Sequence, residues 1–261
     1  HRERYAPQNA ILGIAGDVRS AEVAPKLERW LAAWAKTDWR PSLPPNPVPA
    51  ATKKIFLVDR PNSVQTDVSL GNIAIDRRSP DYIAMVVMNR VVGDGPAARL
   101  FINLREEKGY TYGAYSFLVA RKYPGPWRAV GNMRTDATDG AMTEFFNEIR
   151  RIRDQSVPEA ELEEAKRSVV ASFALSIEDP TDVLDYALTR KIYDLPPDYW
   201  DTYPARIMAV TAKEVQQVAR QYLNPDAVQV VAVGDGSKIK AVLEKYGPVE
   251  VYDTEGKPKA N

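Results

Sequence analysis

The segment Pro7–Asp17, P-Q-N-A-I-L-G-I-A-G-D, has a counterpart near the end of the chain, Pro225–Asp235, P-D-A-V-Q-V-V-A-V-G-D. Pro, Gly and Asp coincide at one offset (225 − 7 = 234 − 16 = 235 − 17 = 218), and a tyrosine precedes each copy, Tyr5 or Tyr222. Each copy reads as an apolar strand, a Gly-Asp corner and an amphipathic helix. Self-similarity at so long a period marks duplicated units. This constrains the domain organisation: residues 53–253 hold one complete unit, and residues 1–36 hold only the strand and helix that end a preceding one. The larger part of that unit is expected upstream of His1. A chain that begins at His1 without a leader-like segment fits a piece of something longer.

Between the two units, residues 37–52 form a linker, with five prolines among the twelve residues of Asp38–Pro49. Such a run is semi-rigid and extended, neither helix nor ladder strand. A ligand for a proline-binding module is the weaker reading beside so clear a boundary.

Periodicity supplies the elements. Asn9–Ala15 reads as a strand, and a helix follows that Ser20 caps, with Val23, Leu27, Trp30, Leu31 and Trp34 as a core stripe. Lys53–Val58 and Ser63–Ile75 read as strands joined by the turn Arg60-Pro61-Asn62. A helix over Pro80–Val92, a Gly93–Pro96 helix–helix turn and a helix over Ala97–Glu107 come next. The glycines of that turn follow a helix and lack a Lys-Ser/Thr, so they do not make a phosphate loop. A hairpin spans Tyr110–Arg134, and a helix carrying Met142, Phe145, Phe146 and Ile149 starts at Asp136. Further helices are predicted over Pro158–Ile177, Pro180–Tyr193, Pro197–Met208 and Thr211–Leu223, several with proline and an acidic or hydroxyl residue at the start. Glu159, Glu161, Glu163 and Glu164 are expected to form a solvated face that favours the helix dipole. Strand Val228–Val233, helix Ser237–Tyr246 and strand Val249–Tyr252 close the unit, and 254–261 is expected to be a frayed polar tail. The fold class is α+β, a predominantly antiparallel sheet covered by helices on one face.

Composition narrows function mainly by exclusion. The 261 residues are 27% charged with a formal net charge of zero, so no basic stripe exists for nucleic acid or anionic lipid. No apolar run approaches the ~18 residues that would span a bilayer. The absence of cysteine excludes disulfides and thiolate metal sites. It leaves the compartment open, with bacterial periplasm or secretion as the leading expectation. The single histidine, His1, is a poor orienting base on a terminus, which excludes a serine triad.

One stretch carries chemistry: Leu104–Ser116, L-R-E-E-K-G-Y-T-Y-G-A-Y-S. It opens as a helix end, with Leu100, Phe101 and Leu104 on one face and Gly109 as a left-handed stop. It continues as a strand, in which alternation places Tyr115, Phe117 and Val119 on a core face and Tyr112, Ala114 and Ser116 on a cleft wall. A guanidinium at Arg105 and a phenol at Tyr112 suit the holding of a peptide carbonyl and the oxyanion it becomes. The plainer alternative is that Arg105 caps carbonyls or pairs with Glu106 while Tyr112 is half-buried packing.

With the preceding G-D-G-P-A-A-R-L-F, this stretch resembles the second-domain signature of the pitrilysin/insulysin-type zinc peptidases, which include the mitochondrial processing peptidases. The resemblance covers the whole chain and implies tandem homologous α+β domains facing one another around a cavity. It implies that Arg105 and Tyr112, seven positions apart, reach from the non-metal half to substrate as catalytic and substrate-binding residues, with Gly113 beside them. The family's zinc is held in the first domain by H-x-x-E-H, which one histidine cannot supply. This chain is therefore expected to hold no metal or other cofactor. Its implied partners are a peptide and a complementary zinc-bearing domain or subunit, with no membrane span and no nucleic acid. The alternative is a non-catalytic structural or interaction module of the same family, although the presence of both Arg105 and Tyr112 favours the peptidase half.

Overall fold

The structure, a computed structural model, describes residues 5–38 and 45–259. His1, the middle of the proline-rich linker and the last two residues lie outside the described residues. The chain divides into two compact units, Pro47–Val170 with Thr202–Asn261, and His1–Asn46 with Ala171–Asp201. The sequence grouped residues 171–201 with 53–253; compactness groups them with the N-terminal segment.

The larger unit is a six-stranded sheet with helices on one face. Its strands are β1 (Lys54–Asp59), β2 (Gln65–Ile73), β3 (Thr111–Leu118), β4 (Pro126–Arg134), β5 (Gln229–Gly234) and β6 (Val249–Tyr252), in the spatial order β3-β4-β2-β5-β1-β6. The sheet is mixed. Three pairings are antiparallel (β3 with β4, β4 with β2, β2 with β5), whereas β1 runs parallel to both β5 and β6. The turn Arg60-Pro61-Asn62 therefore does not close a hairpin. Asn62 takes a left-handed φ of 64°, and β5 enters between the two strands that this turn connects. Ile55, Leu57, Val230 and Ala232 are fully buried on alternate positions of β1 and β5, the pattern that pins register.

The covering helices are α2 (Tyr82–Val92), the short α3 (Arg99–Phe101), α4 (Thr138–Asp154), α8 (Ala212–Tyr222) and α9 (Gly236–Leu243). Their starts follow local chemistry. Thr211 and Glu214 form a capping box at α8, the hydroxyl accepting from Glu214 N at 3.2 Å and the carboxylate from Thr211 N at 2.8 Å. Asp235 caps α9 through Ser237 N at 3.2 Å, which gives the second Gly-Asp corner its function. The phenol of Tyr222 donates to Asp81 at 2.6 Å, tying α8 to the start of α2, and burial first and that carboxylate second push it up to about 12.

Residues 253–259 are not frayed. They fold back over β6, with Lys259 N donating to Val251 O at 2.8 Å, a bridge between Tyr252 and Pro258, and Lys259 Nζ 2.6 Å from Asp59. A proline and two lysines thus blunt one sheet edge.

The smaller unit contains α1 (Ser20–Leu31), the end of α5 (Glu159–Ser176), α6 (Pro180–Ile192) and the first residues of α7 (Tyr199–Met208). The strand expected over Asn9–Ala15 does not form: Asn9 ends a 3-10 turn (Pro7–Asn9), and residues 10–15 carry no regular element and pair with no strand among the described residues. The stripe of α1 is not core here: the helix has no buried residue and Trp30 is 71% exposed. Phe173, Tyr186 and Trp200 form an aromatic cluster with ring centroids 4.5–5.9 Å apart. Gly13 is required against α6, because a Cβ there would stand 2.6 Å from Leu184 Cδ1.

Candidate functional site

The stretch singled out by the sequence is anchored at its N-terminal end by a buried ion pair. Arg99 donates to Glu161 through Nε at 2.6 Å and Nη2 at 2.8 Å, with the Arg99 side chain 6% exposed. Glu161 is thus half of a bidentate contact and not part of a solvated face. Glu163 likewise pairs with the buried Lys166, whose ammonium also caps the carbonyls of Met208 and Val210. Arg99 lies 62 positions from Glu161, so a glutamate count could not single out Glu161, whereas Glu163 meets Lys166 at a local i,i+3 spacing.

Beyond Phe101 the helix widens. Residues Ile102–Glu107 form a π turn, with Lys108 N donating to Asn103 O at 3.0 Å. Single π turns are rare and recur at functional sites. Gly109 comes next at φ 61°, the left-handed stop expected. Tyr110 N then donates to Leu104 O at 2.9 Å, and Arg134 donates to Gly109 O at 2.8 Å and Tyr110 O at 3.2 Å. The loop between Arg105 and Tyr112 is therefore held on both sides by backbone contacts.

At the start of β3 a bulge inserts one residue. Thr111 faces Met133, but Ala114 faces Gly131, where an unbroken ladder would place Gly113. The extra residue reverses the parity expected from simple alternation. Thr111, Ala114 and Ser116 are buried on the helix-covered face, whereas Tyr115 is only half-buried and Phe117 is 44% exposed. The expected core and cleft faces of this strand are exchanged, apart from Tyr112, which is 84% exposed. Thr111 stabilises the bulge: its hydroxyl lies against the carbonyls of Asn132 and Gly113 and accepts from Gly113 N at 3.1 Å. The polar groups of Gly113 are thus both engaged, and what Gly113 contributes is space. A Cβ there would stand 2.6 Å from the Tyr115 ring.

Beneath the strand lies a polar knot that sequence reasoning missed. Asn89 on α2 accepts from Ser116 Oγ at 2.7 Å and Trp127 Nε1 at 2.9 Å. Ser116 and Trp127 are fully buried, so the knot fixes the β3–β4 hairpin against α2. A lone Asn in an apolar helix stripe was the available signal.

Arg105 and Tyr112 lie at the two ends of this held segment. Arg105 is about half exposed, 3.4 Å from Glu106 and with its guanidinium 4.8 Å from the Phe101 ring centre. Phe101 in turn packs against Tyr115 at 5.6 Å. The Tyr112 side chain makes no hydrogen bond or ring contact among the described residues. Tyr110, another phenol of the same stretch, is packed: a Cβ on Gly140 would stand 2.7 Å from its ring. Next to Gly113 on the uncovered sheet face is an open depression of about 400 Å³, walled by Val130, Val231 and Val233 with Asp67 and Asn132 at one side.

Among the described residues no group of three or more His, Cys, Asp or Glu side chains is placed to hold a metal ion. Among them, too, no helix is long and apolar enough to cross a membrane.

The family description "Peptidase M16 inactive domain" matches residues 1–169. An uncharacterized zinc protease of Streptomyces coelicolor is 23% identical over 231 residues, covering 85% of this chain and 50% of that protein. An uncharacterized zinc protease of Mycobacterium tuberculosis is 25% identical over 248 residues, covering 91% of this chain and 55% of that protein. The chain thus spans about half the length of these relatives. Among solved structures, a peptidase M16 inactive domain from Pseudomonas fluorescens superposes with a TM-score of 0.74 at 25% identity, over 84% of this chain and 52% of that one.

Proposed function

Because this chain belongs to the family of the peptidase M16 inactive domain, we propose that it serves as the non-metal half of a zinc metallopeptidase, supplying Arg105 and Tyr112 to a peptide held at a zinc site on another domain or subunit. The observation that carries the reading is the state of the pair. Both side chains are solvent-facing, and the backbone between them is pinned by Leu104, Gly109, Tyr110 and Arg134.

Peptide hydrolysis passes through a tetrahedral oxyanion, and a fixed O–H aimed at that charge stabilises the transition state more than the ground state. Tyr112 is the donor in this reading, and Arg105 holds a backbone carbonyl of the substrate. The contacts that occupy Arg105 do not block this. An exposed ion pair such as Arg105–Glu106 contributes about 0–1 kcal/mol and an exposed cation–π contact about 0.5–1 kcal/mol. A desolvated charge-assisted hydrogen bond to substrate, at about 1.5–3 kcal/mol, outweighs either one. The exposed stripe of α1 supports assigning residues 1–36 to a preceding homologous domain, since an uncovered apolar stripe calls for a partner surface.

The test requires the complementary zinc half. Tyr112→Phe should lower kcat by about 10²–10³ with a small effect on KM, the cost of one oxyanion donor. Tyr110→Phe should leave kcat within about threefold of wild type, because that ring packs on α4 and faces no substrate. Wild-type turnover by Tyr112→Phe would overturn the assignment.

A further inference from the structure

The π turn is held by an unusual contact. Asn103, whose carbonyl receives the wide-turn bond from Lys108, donates through Nδ2 to Glu144 Oε2 and Glu148 Oε1 on α4, each at 2.9 Å. Glu148 is buried, its side chain 6% exposed. Its second oxygen has no hydrogen bond among the described residues, and Arg151 Nη1 stands 3.6 Å away, beyond hydrogen-bond reach. The amide oxygen of Asn103 is also buried without a partner among them.

Two unfavourable features therefore meet at one residue. A wide turn is a strained departure from the α-helix, and a buried carboxylate with an unmet oxygen opposes folding. Replacing both partners of such a contact by apolar groups of the same shape is commonly near-neutral for stability. Net stability is thus not what the contact supplies. It sets register. The wide turn adds one residue to the helix, and Arg105 lies within that turn, two positions beyond Asn103, so its direction depends on the turn's being kept. With its amide fixed to two adjacent turns of α4, Asn103 leaves the helix one way to reach Gly109.

We propose that Asn103, clamped by Glu144 and Glu148, is a positioning residue that holds the π turn and thereby the direction of Arg105. The proposal rests on the reading of Arg105 as a substrate-binding group. A clamp of this kind acts through geometry, so its loss should reproduce the loss of the group it aims.

Two measurements test it on Asn103→Leu, which keeps the volume and removes the amide. In this chain, hydrogen exchange at the Lys108 amide should speed up at least tenfold relative to the core strands. With the zinc half present, KM should rise to within about threefold of the Arg105→Ala value while kcat is retained, and Asn103→Leu combined with Arg105→Ala should be no worse than Arg105→Ala alone. The triple variant Asn103→Asp, Glu144→Gln and Glu148→Gln exchanges amide and carboxylate across both contacts and should restore both exchange and KM. The proposal is overturned by unchanged exchange at Lys108, by a wild-type KM in Asn103→Leu when Arg105→Ala raises it, or by additive effects in the double variant. If Arg105→Ala itself leaves KM unchanged, the substrate-binding reading fails first and takes the positioning role with it.

Discussion

At the scale of single residues, the side chains that hold the candidate site in place are more constrained than those expected to act. Tyr112 is solvent-facing, whereas Asn89, Ser116 and Trp127 beneath it are locked in one buried network. Replacing Asn89 by Leu would leave an indole N–H and a hydroxyl unpaired in the core, each costing about 1–3 kcal/mol. Urea unfolding of Asn89→Leu should therefore show a loss of about 3 kcal/mol with an unchanged m-value. A loss under about 0.5 kcal/mol, less than half the smallest cost of one such group, would mean that the network is not holding the hairpin. The local backbone of this stretch was the part legible in sequence. Arg105 and Tyr112 sit at either end of a helix-stop-strand segment, as the pattern L-R-E-E-K-G-Y-T-Y implied, and Gly109 has the expected positive φ. Their surroundings were not legible. The cation that meets Glu161 is Arg99, 62 positions away, and no local rule connects the two.

At the scale of elements, chain chemistry predicted starts and types well and pairing poorly. Proline, hydroxyl and acidic residues marked α5, α6 and α8 to within about two residues, as capping physics leads one to expect. The capping box of α8 offers a measurable case. Thr211's hydroxyl first, and its N–H second, hold the Glu214 carboxyl below its ordinary 4.5. A depressed carboxylate stabilises the fold above its unfolded pKa and loses that contribution as pH falls through its folded one. Thr211→Ala should cost about 1 kcal/mol at pH 7, and its difference from wild type should narrow as pH drops below the ordinary 4.5. A gap that stays constant down to about pH 3 would place the whole effect in the neutral hydroxyl contact. The failures share a cause. Alternation along β3 was read at period two, and one inserted residue between Thr111 and Ala114 reverses every later face. The π turn is hidden in the same way, because one extra residue per turn leaves no trace in the positions of Leu100, Phe101 and Leu104.

At the scale of the whole molecule, the alternation of predicted strands and helices pointed to the α+β class, and the sheet with helices on one face agrees. The mixed character of the sheet was not foreseeable, since it depends on where β5 inserts. The chain alone should hold less than about 0.1 zinc per molecule after dialysis and should cleave no peptide, given one histidine and no cysteine. Elemental analysis finding about one tightly bound zinc per chain would contradict the assignment of the metal to a complementary half. The insertion of β5 also has a consequence for how the protein is made. Gly236 just past β5 donates to Asp59 at the end of β1, 177 residues earlier, and β5 lies between β1 and β2 in the sheet. On the ribosome, β2, β3 and β4 can assemble as soon as residue 134 has emerged, but β1 must wait for β5 to be translated. At about 5–20 residues per second, that leaves two apolar strand edges uncovered for on the order of ten seconds during every round of synthesis.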